Sequence, residues 1–439
     1  MTTNSNRRLP SRRAFLLTAA GGVLGAGGYA GWEVFRDRDV AAPPRRAARW
    51  TFKASDDLKF GMADDGNGRL FAATGYHAGL LALDAADGRG RWHKKLGEGP
   101  WQVGPLTVAD GTLYVVDAAG IIDARRADDG GLLWSTGPVG TGPTAGKPVV
   151  LGSTVCVSLS RNTDDEAPGG PGVLCGLDTA AGKVRWTAPA SGIVQPLPGQ
   201  DLLLARTGEL TGTSPDARPV GALDPLTGAA RWQAPASGDR DTIALAPDGG
   251  TVYLLDEGHR LCAYDAATGE RRWRTPAMDG VITAAEDGGS VYVCTYRGDL
   301  AAYDARNGGR RWRRTVAKGF CRPAVAQSGG RLFVTSSETY GSDGLFNMGS
   351  GRGGYVLALA ADNGKELWRV DRLDTCWSAP KAVGDDVIVT HTSGWWSYDA
   401  RTGEPRWRLT GVSSIVDEPL VASGVLYGLS DDGVVALRI

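Results

Sequence analysis

An all-β fold assembled from repeated four-stranded meanders is predicted by three features of this sequence. The first is a tryptophan that returns at Trp92, Trp134, Trp186, Trp232, Trp273, Trp312, Trp368 and Trp407, each with a glycine four residues before it: Gly88, Gly130, Gly182, Gly228, Gly269, Gly308, Gly364 and Gly403. The second lies eight residues before the tryptophan, where six repeats carry Asp84, Asp178, Asp224, Asp265, Asp304 or Asp399 and the other two carry Arg126 or Ala360. The third is the period. Counted from Trp50, the tryptophans stand 42, 42, 52, 46, 41, 39, 56 and 39 residues apart, in the range in which a chain builds a propeller blade by blade.

The spacing describes a tight reversal between antiparallel strands. The aspartate side chain accepts hydrogen bonds from amides ahead of it, and glycine takes a positive φ that a side chain resists. Upstream of each turn run two short, alternating, β-rich segments, such as residues 251–255 and 261–264 of the fifth repeat, so each repeat is a meander of about four strands. A lone meander leaves two apolar faces uncovered, so the meanders stack face to face around an axis, with the tryptophans filling the gaps between neighbours. The resulting expectation is a β-propeller of eight or nine four-stranded blades, made of eight complete repeats and one split repeat that closes the ring.

The motif over residues 81–92, 177–186, 223–232 and 264–273 resembles the PQQ-like (pyrroloquinoline-quinone-like) β-propeller repeat family. The resemblance covers nearly everything after the first fifty residues. It implies the fold directly, while function stays open, since the repeat serves quinoprotein dehydrogenases, BamB-type outer-membrane assembly factors and sensor modules of bacterial kinases.

At the N-terminus, Arg7, Arg8 and then Ser11, Arg12, Arg13, Ala14 and Phe15 precede a Gly- and Ala-rich, mildly apolar stretch. This resembles a twin-arginine export signal, with Arg12 and Arg13 as its motif. Residues 1–31 are therefore expected to be a signal or a membrane anchor, the apolar span being just long enough for the latter. Residues 32–47, charged and bearing Pro43 and Pro44, are a linker, and residues 48–439 form the propeller. Residues 49–52 look like the tail of a repeat and the C-terminus like a front half without its tryptophan, so the two ends are expected to complete one blade.

A net charge of −1 over 439 residues argues against a nucleic-acid partner, which would favour a basic surplus. Six cysteines in a chain read as exported permit disulfides. Cys156 and Cys175 flank one hairpin loop, leaving a disulfide between them and two buried thiols as the alternatives. The four histidines show no metal-ligand spacing. Arginine directly precedes the tryptophan at Arg91, Arg185, Arg231, Arg272, Arg311 and Arg406; strand alternation would point each at the tryptophan of the adjacent blade in a cation–π contact.

The candidate site is the axis. In several repeats the innermost strand has a proline at its end, and the residues beside those prolines are equivalent positions around one mouth. Trp101, Lys147, Gln195, Phe320, Arg322, Trp377 and Glu418 would form a mixed aromatic and charged ring suited to a polar ligand or peptide. The PQQ-dependent dehydrogenases add a vicinal cysteine pair, a calcium site and a longer chain, and this sequence departs from them in the cysteine pair and in length.

The reading is an exported, non-catalytic scaffold, expected to be a monomer, that binds a protein or envelope-polymer partner at the outer face of the cytoplasmic membrane or outside the cell. No catalytic residue, no metal and no cofactor are expected. The alternatives are a sensor or accessory module of a signalling or secretion system, and a PQQ- and calcium-dependent oxidoreductase.

Overall fold

The structure, a computed structural model, describes residues 43–439 except 54–57, 75–78, 97–104, 118, 140–145, 160–171, 208–218, 237–242, 257, 279–280, 287–288, 296–297, 317–323, 338–353, 374–378, 392–393, 411, 413–418 and 431–432. The export motif at Arg12 and Arg13, and residues 1–42 as a whole, lie outside the described residues. Every described element of regular structure is a β-strand.

The strands form eight antiparallel sheets, seven of four strands and one of seven. In the seven-stranded sheet the long strand Val184–Pro196 pairs through its first half with Val173–Asp178 and through its second half with Leu203–Thr207. It is thus the outer strand of one meander and the inner strand of the next, which resolves the sheets into nine four-stranded blades. In chain order these are residues 58–95, 107–135, 149–189, 194–234, 244–274, 281–315, 324–373, 381–410 and 420–438, numbered here blades 1 to 9. Blade 9 is the split one. Its fourth strand is Trp50–Lys53, which pairs with the last strand, Gly433–Arg438, with Trp50 opposite Ala436.

The core is divided among the gaps between blades. Nine apolar clusters each span one pair of neighbours, from Phe71 and Val115 between blades 1 and 2 to Met62 and Tyr427 between blades 1 and 9. Closure of the ring is therefore a matter of packing as well as of strand pairing. The chain also joins the ring before Ala48: Arg46 N–H donates to Arg408 O at 2.9 Å and Arg408 N–H to Pro44 O at 3.1 Å, laying residues 44–46 parallel to the outer strand of blade 8.

Eight of the nine outer-strand tryptophans latch their blade to the next, the exception being Trp407, whose indole N–H donates to Asp386 Oδ2 of its own blade at 3.5 Å. Trp232 donates its indole N–H to Ala266 O of the following turn at 2.9 Å, Trp273 to Ala305 O at 2.9 Å and Trp312 to Ala361 O at 3.0 Å. The same bond runs from Trp50, Trp92, Trp134, Trp186 and Trp368 to Ala85, Ala127, Thr179, Pro225 and Ala400. The indole lies flat on the turn glycine three residues further on. A Cβ on Gly308 would come within 2.5 Å of Trp273, and one on Gly364 within 2.6 Å of Trp312. Those glycines thus serve twice, since their φ is also near +70° and the absent side chain makes room for the ring.

The arginines do something other than the cation–π contact expected of them. In each of the eight complete repeats the pairing shifts by one residue just before the tryptophan, as where Leu83 faces Gly90 but Ala82 faces Trp92. This bulge leaves the residue between them, Arg91 in blade 1, outside the alternation that the expectation assumed. Its guanidinium turns back to the aspartate of its own turn: 2.7 Å for Arg91–Asp84, 2.5 Å for Arg185–Asp178, 2.6 Å for Arg231–Asp224, and 2.7 Å for both Arg272–Asp265 and Arg311–Asp304. Arg406 pairs with Asp399 in the same way. A cation does lie over Trp407, and it is Arg46, 5.4 Å from the ring centroid.

The second oxygen of each aspartate accepts from the backbone amide two residues on, as from Ala267 to Asp265 at 3.0 Å and from Arg401 to Asp399 at 2.8 Å. Backbone donation from Thr268, then Arg272, lowers Asp265 to about 2, and donation from Thr402 and Arg401 lowers Asp399 to about 2. Asp84, Asp178, Asp224 and Asp304 are lowered as well. A folded-state pKa below the unfolded one contributes stability that is complete above about pH 4–5 and is lost as pH falls toward the folded value. The thermal midpoint is therefore expected to be flat between about pH 7 and 5 and to fall between about pH 4 and 2. Asp265→Asn together with Asp399→Asn should make that fall shallower, as read by circular dichroism.

The disulfide alternative is corrected. Cys156 and Cys175 are free, on neighbouring strands where Cys156 faces Gly176 and Cys175 faces Val157. One thiol enters the cluster between blades 3 and 4 and the other the cluster between blades 2 and 3, on opposite faces of the sheet. Burial pushes both up to about 12, so each behaves as a small apolar side chain.

Candidate functional site: the axial channel

Around the axis the first strands of several neighbouring blades touch, blades 1 and 2, 5 and 6, 6 and 7, 7 and 8, and 9 and 1 among them. Each is the inner edge of its sheet and so has backbone groups without a ladder partner on that side. Prolines stand just ahead of these strands: Pro105 before Thr107–Ala109, Pro148 before Val149–Leu151, Pro380 before Lys381–Val383 and Pro419 before Leu420–Ala422. A residue without an N–H fits an edge that has nothing to receive one, and it blunts the edge against further pairing.

A cavity of about 540 Å³ opens among these strand ends, lined by Met62 of blade 1, Lys147 ahead of blade 3, Ala326 of blade 7 and the segments around Lys381 and Leu420. Blades 1, 3, 7, 8 and 9 meet in it, and since blade 3 stands across the ring from blades 7 and 8 the cavity lies on the axis. Among the described residues its polar side chains are two lysines. Lys147 is exposed and Lys381 half-buried, against proline rings and short apolar side chains.

Of the seven residues expected in this ring, two fall among the described residues. Lys147 is in the cavity wall. Gln195 sits half-buried in the inner half of Val184–Pro196, opposite Leu204, and is not part of this wall. Trp101, Phe320, Arg322, Trp377 and Glu418 lie outside the described residues. Lys381 and Met62 escaped sequence reasoning. The signal for Lys381 was present: it directly follows Pro380, whereas the expectation concentrated on residues before the prolines.

The described wall supplies no side-chain oxygen for the calcium of calcium-bound PQQ. A calcium ion takes six to eight oxygen ligands, and the described side chains here are lysine, proline, methionine and small or branched hydrocarbon. Among the described residues no group of three or more His, Cys, Asp or Glu side chains is placed to hold a metal ion.

A closed ring of four-stranded blades, latched by a tryptophan on the glycine of the next turn and open along its axis, defines a PQQ-like β-propeller. The chain belongs to the family described as outer membrane protein assembly factor BamB, whose model matches residues 36–214, 216–317, 275–345 and 352–438. No curated protein matches the sequence. Among solved structures, the europium-containing methanol dehydrogenase is 16% identical, with a TM-score of 0.56 over 87% of this chain and 84% of that one. The quinohemoprotein alcohol dehydrogenase from Comamonas testosteroni is 13% identical, with a TM-score of 0.53 over 88% and 75%. BamB from Moraxella catarrhalis is 20% identical, with a TM-score of 0.45 over 68% and 92%. At these identities the likeness is one of fold.

Proposed function

We propose that this protein is an exported, non-catalytic propeller that serves as an interaction scaffold in the cell envelope or outside the cell. The observation that carries the reading is the match of an assembly-factor family model along nearly the whole ring. The axial cavity supports it: two lysines from separate blades in a wall of proline and short apolar side chains suit a polar, anionic or peptide group better than a reaction centre. The dehydrogenase neighbours share the fold, and fold alone does not transfer an activity.

Two measurements test the two halves of this reading. Full-length protein carrying a C-terminal tag, expressed in a host with twin-arginine export, is expected outside the cytoplasm, with the Arg12→Lys, Arg13→Lys double variant retained inside; equal distribution of the two would overturn export by this route. Purified protein mixed with PQQ and calcium and assayed across alcohols and sugars is expected to show neither a stoichiometric chromophore nor turnover. Turnover would replace the scaffold with an oxidoreductase.

A further inference from the structure

Charge is spread unevenly over the ring. The chain as a whole carries a formal net charge of −1, yet the outer strands of two adjacent blades, Arg271–Arg274 of blade 5 and Arg310–Thr315 of blade 6, hold seven arginines and no acidic residue. All seven are exposed. Carboxylates of their own blades hold three of them: Arg272 by Asp265, Arg311 by Asp304 and Arg313 by Asp299. Among the described residues the other four, Arg271, Arg274, Arg310 and Arg314, pair with no carboxylate.

Register shows that this is a property of two blades and not of the repeat. Two positions on the outer strand, one two residues before the tryptophan and one just after it, share the sheet face that looks to the preceding blade. In blade 5, Arg271 is opposite Tyr264 and Arg274 is opposite Cys262, and both of those residues enter the cluster between blades 4 and 5. In blade 6, Arg310 is opposite Tyr303 and Arg313 is opposite Ala301, in the cluster between blades 5 and 6. Directly opposite residues share a face, and since their partners are two residues apart, the members of each pair stand about 6–7 Å apart along the strand. No other complete repeat has arginine at both positions: blade 4 has Ala230 and Gln233, blade 7 Glu366 and Arg369, blade 8 Pro405 and Arg408. The Trp273 ring, resting on Gly308, clamps the two basic strands into one surface. Like charges this close on one face destabilise a sheet, so the pairs do not serve the fold, and an anion shared between two guanidinium groups relieves their repulsion.

We propose that the rim of blades 5 and 6 binds a linear, phosphate-bearing polymer, which runs across both arginine pairs. The planar guanidinium fork matches phosphate oxygens two at a time, and a basic pair repeated from one blade to the next suits a ligand that repeats its own charge. A protein partner would need an apolar centre to the interface, and none of the large apolar side chains that the described ring exposes lies on blade 5 or 6. The same lack disfavours a membrane surface, which takes up apolar side chains between its head groups. The site is separate from the axial cavity. An envelope polymer as the source of the phosphate rests on the export reading above; the binding does not, so it can fail with export intact and hold with export refuted.

The test is isothermal titration calorimetry of the full-length purified protein with long-chain inorganic polyphosphate at several salt concentrations. Saturable binding is expected, weakening as salt rises because bound counterions are released. Arg271→Gln with Arg274→Gln and Arg310→Gln should weaken it by roughly tenfold or more and reduce the slope of log affinity against log salt by roughly 2–3, with a thermal midpoint unchanged or raised. Lys94→Gln with Lys95→Gln, which removes two exposed charges from the outer strand of blade 1, should leave the affinity unchanged. Absent or salt-insensitive binding in the wild type, or an equal loss in the lysine variant, overturns the proposal. A lowered midpoint in the arginine variant does so too, since those arginines would then belong to the fold. Equal affinity for polyglutamate, or arginine-dependent binding to phosphatidylglycerol vesicles, overturns the phosphate polymer in favour of an acidic protein or a membrane surface.

Discussion

A chain that begins at residue 54 is expected to lose the cooperative unfolding transition that a chain beginning at residue 43 retains. The truncation removes Trp50–Lys53 and with it the full pairing to Gly433–Arg438. It also removes the Trp50 indole from Gly88, its 3.2 Å bond to Ala85 O and its packing against Tyr427, 5.9 Å between ring centroids. The hydrogen bonds of residues 44–46 to Arg408 go too. The last strand becomes an open edge, and one side of the cluster around Met62 and Val434 is uncovered. Loss of a packed tryptophan alone costs about 3–5 kcal/mol, out of a total stability of about 5–15 kcal/mol for a typical domain. Thermal unfolding followed by near-ultraviolet circular dichroism checks this, with size-exclusion chromatography as a guard against aggregation. An unchanged midpoint would mean that the clusters between blades hold the ring without its closing strand.

Trp232→Ala is expected to cost about 3–5 kcal/mol. Trp232 is 7% exposed, stacks on Tyr264 at 6.5 Å and donates to Ala266 O, so its loss leaves a void between blades 4 and 5 and an unpaired carbonyl. Gly269→Ala attacks the same latch from the other side. Its new methyl would overlap the Trp232 ring, at a φ of +73° that costs an L-residue about 1–2 kcal/mol. In the Trp232→Ala background the overlap vanishes and the φ cost stays. The double variant should therefore be more stable than the sum of the singles predicts, by about 1–3 kcal/mol. Additive losses in denaturant titrations would show that the glycine matters for its φ alone.

The latch was legible in the sequence because it has a fixed spacing: tryptophan and glycine keep their distance in all eight repeats through every change in loop length, and the aspartate keeps its own in six. The role of the arginines was hidden by the bulge, since a strand that keeps its alternation would aim Arg272 at a neighbouring blade and a bulged one returns it to Asp265. A clue was nonetheless there. The two repeats that lack the aspartate, at Arg126 and Ala360, also lack the arginine, with Leu133 and Leu367 in its place, as expected of partners. The pairing of Cys156 with Cys175 was plausible from loop position, yet the face each residue takes depends on register, which sequence spacing leaves free by one. The count of blades stayed at eight or nine because one strand, Val184–Pro196, belongs to two of them. At the axis the prolines pointed to Lys147, which lines the cavity, and Lys381 was passed over because it follows its proline where the reading looked to residues before one.

The pairing of Trp50 with Ala436 also sets an order of events. The strand that closes the ring is among the first parts of the propeller to leave the ribosome, and its partner is among the last. At about 5–20 residues per second, synthesis of the intervening chain takes on the order of 20–80 s. Through that interval blades 1 to 8 can stack on one another in sequence, but blade 9 cannot exist. A nascent chain is therefore an open arc, and a message cut short near its end leaves every preceding blade intact with nothing to join the two ends.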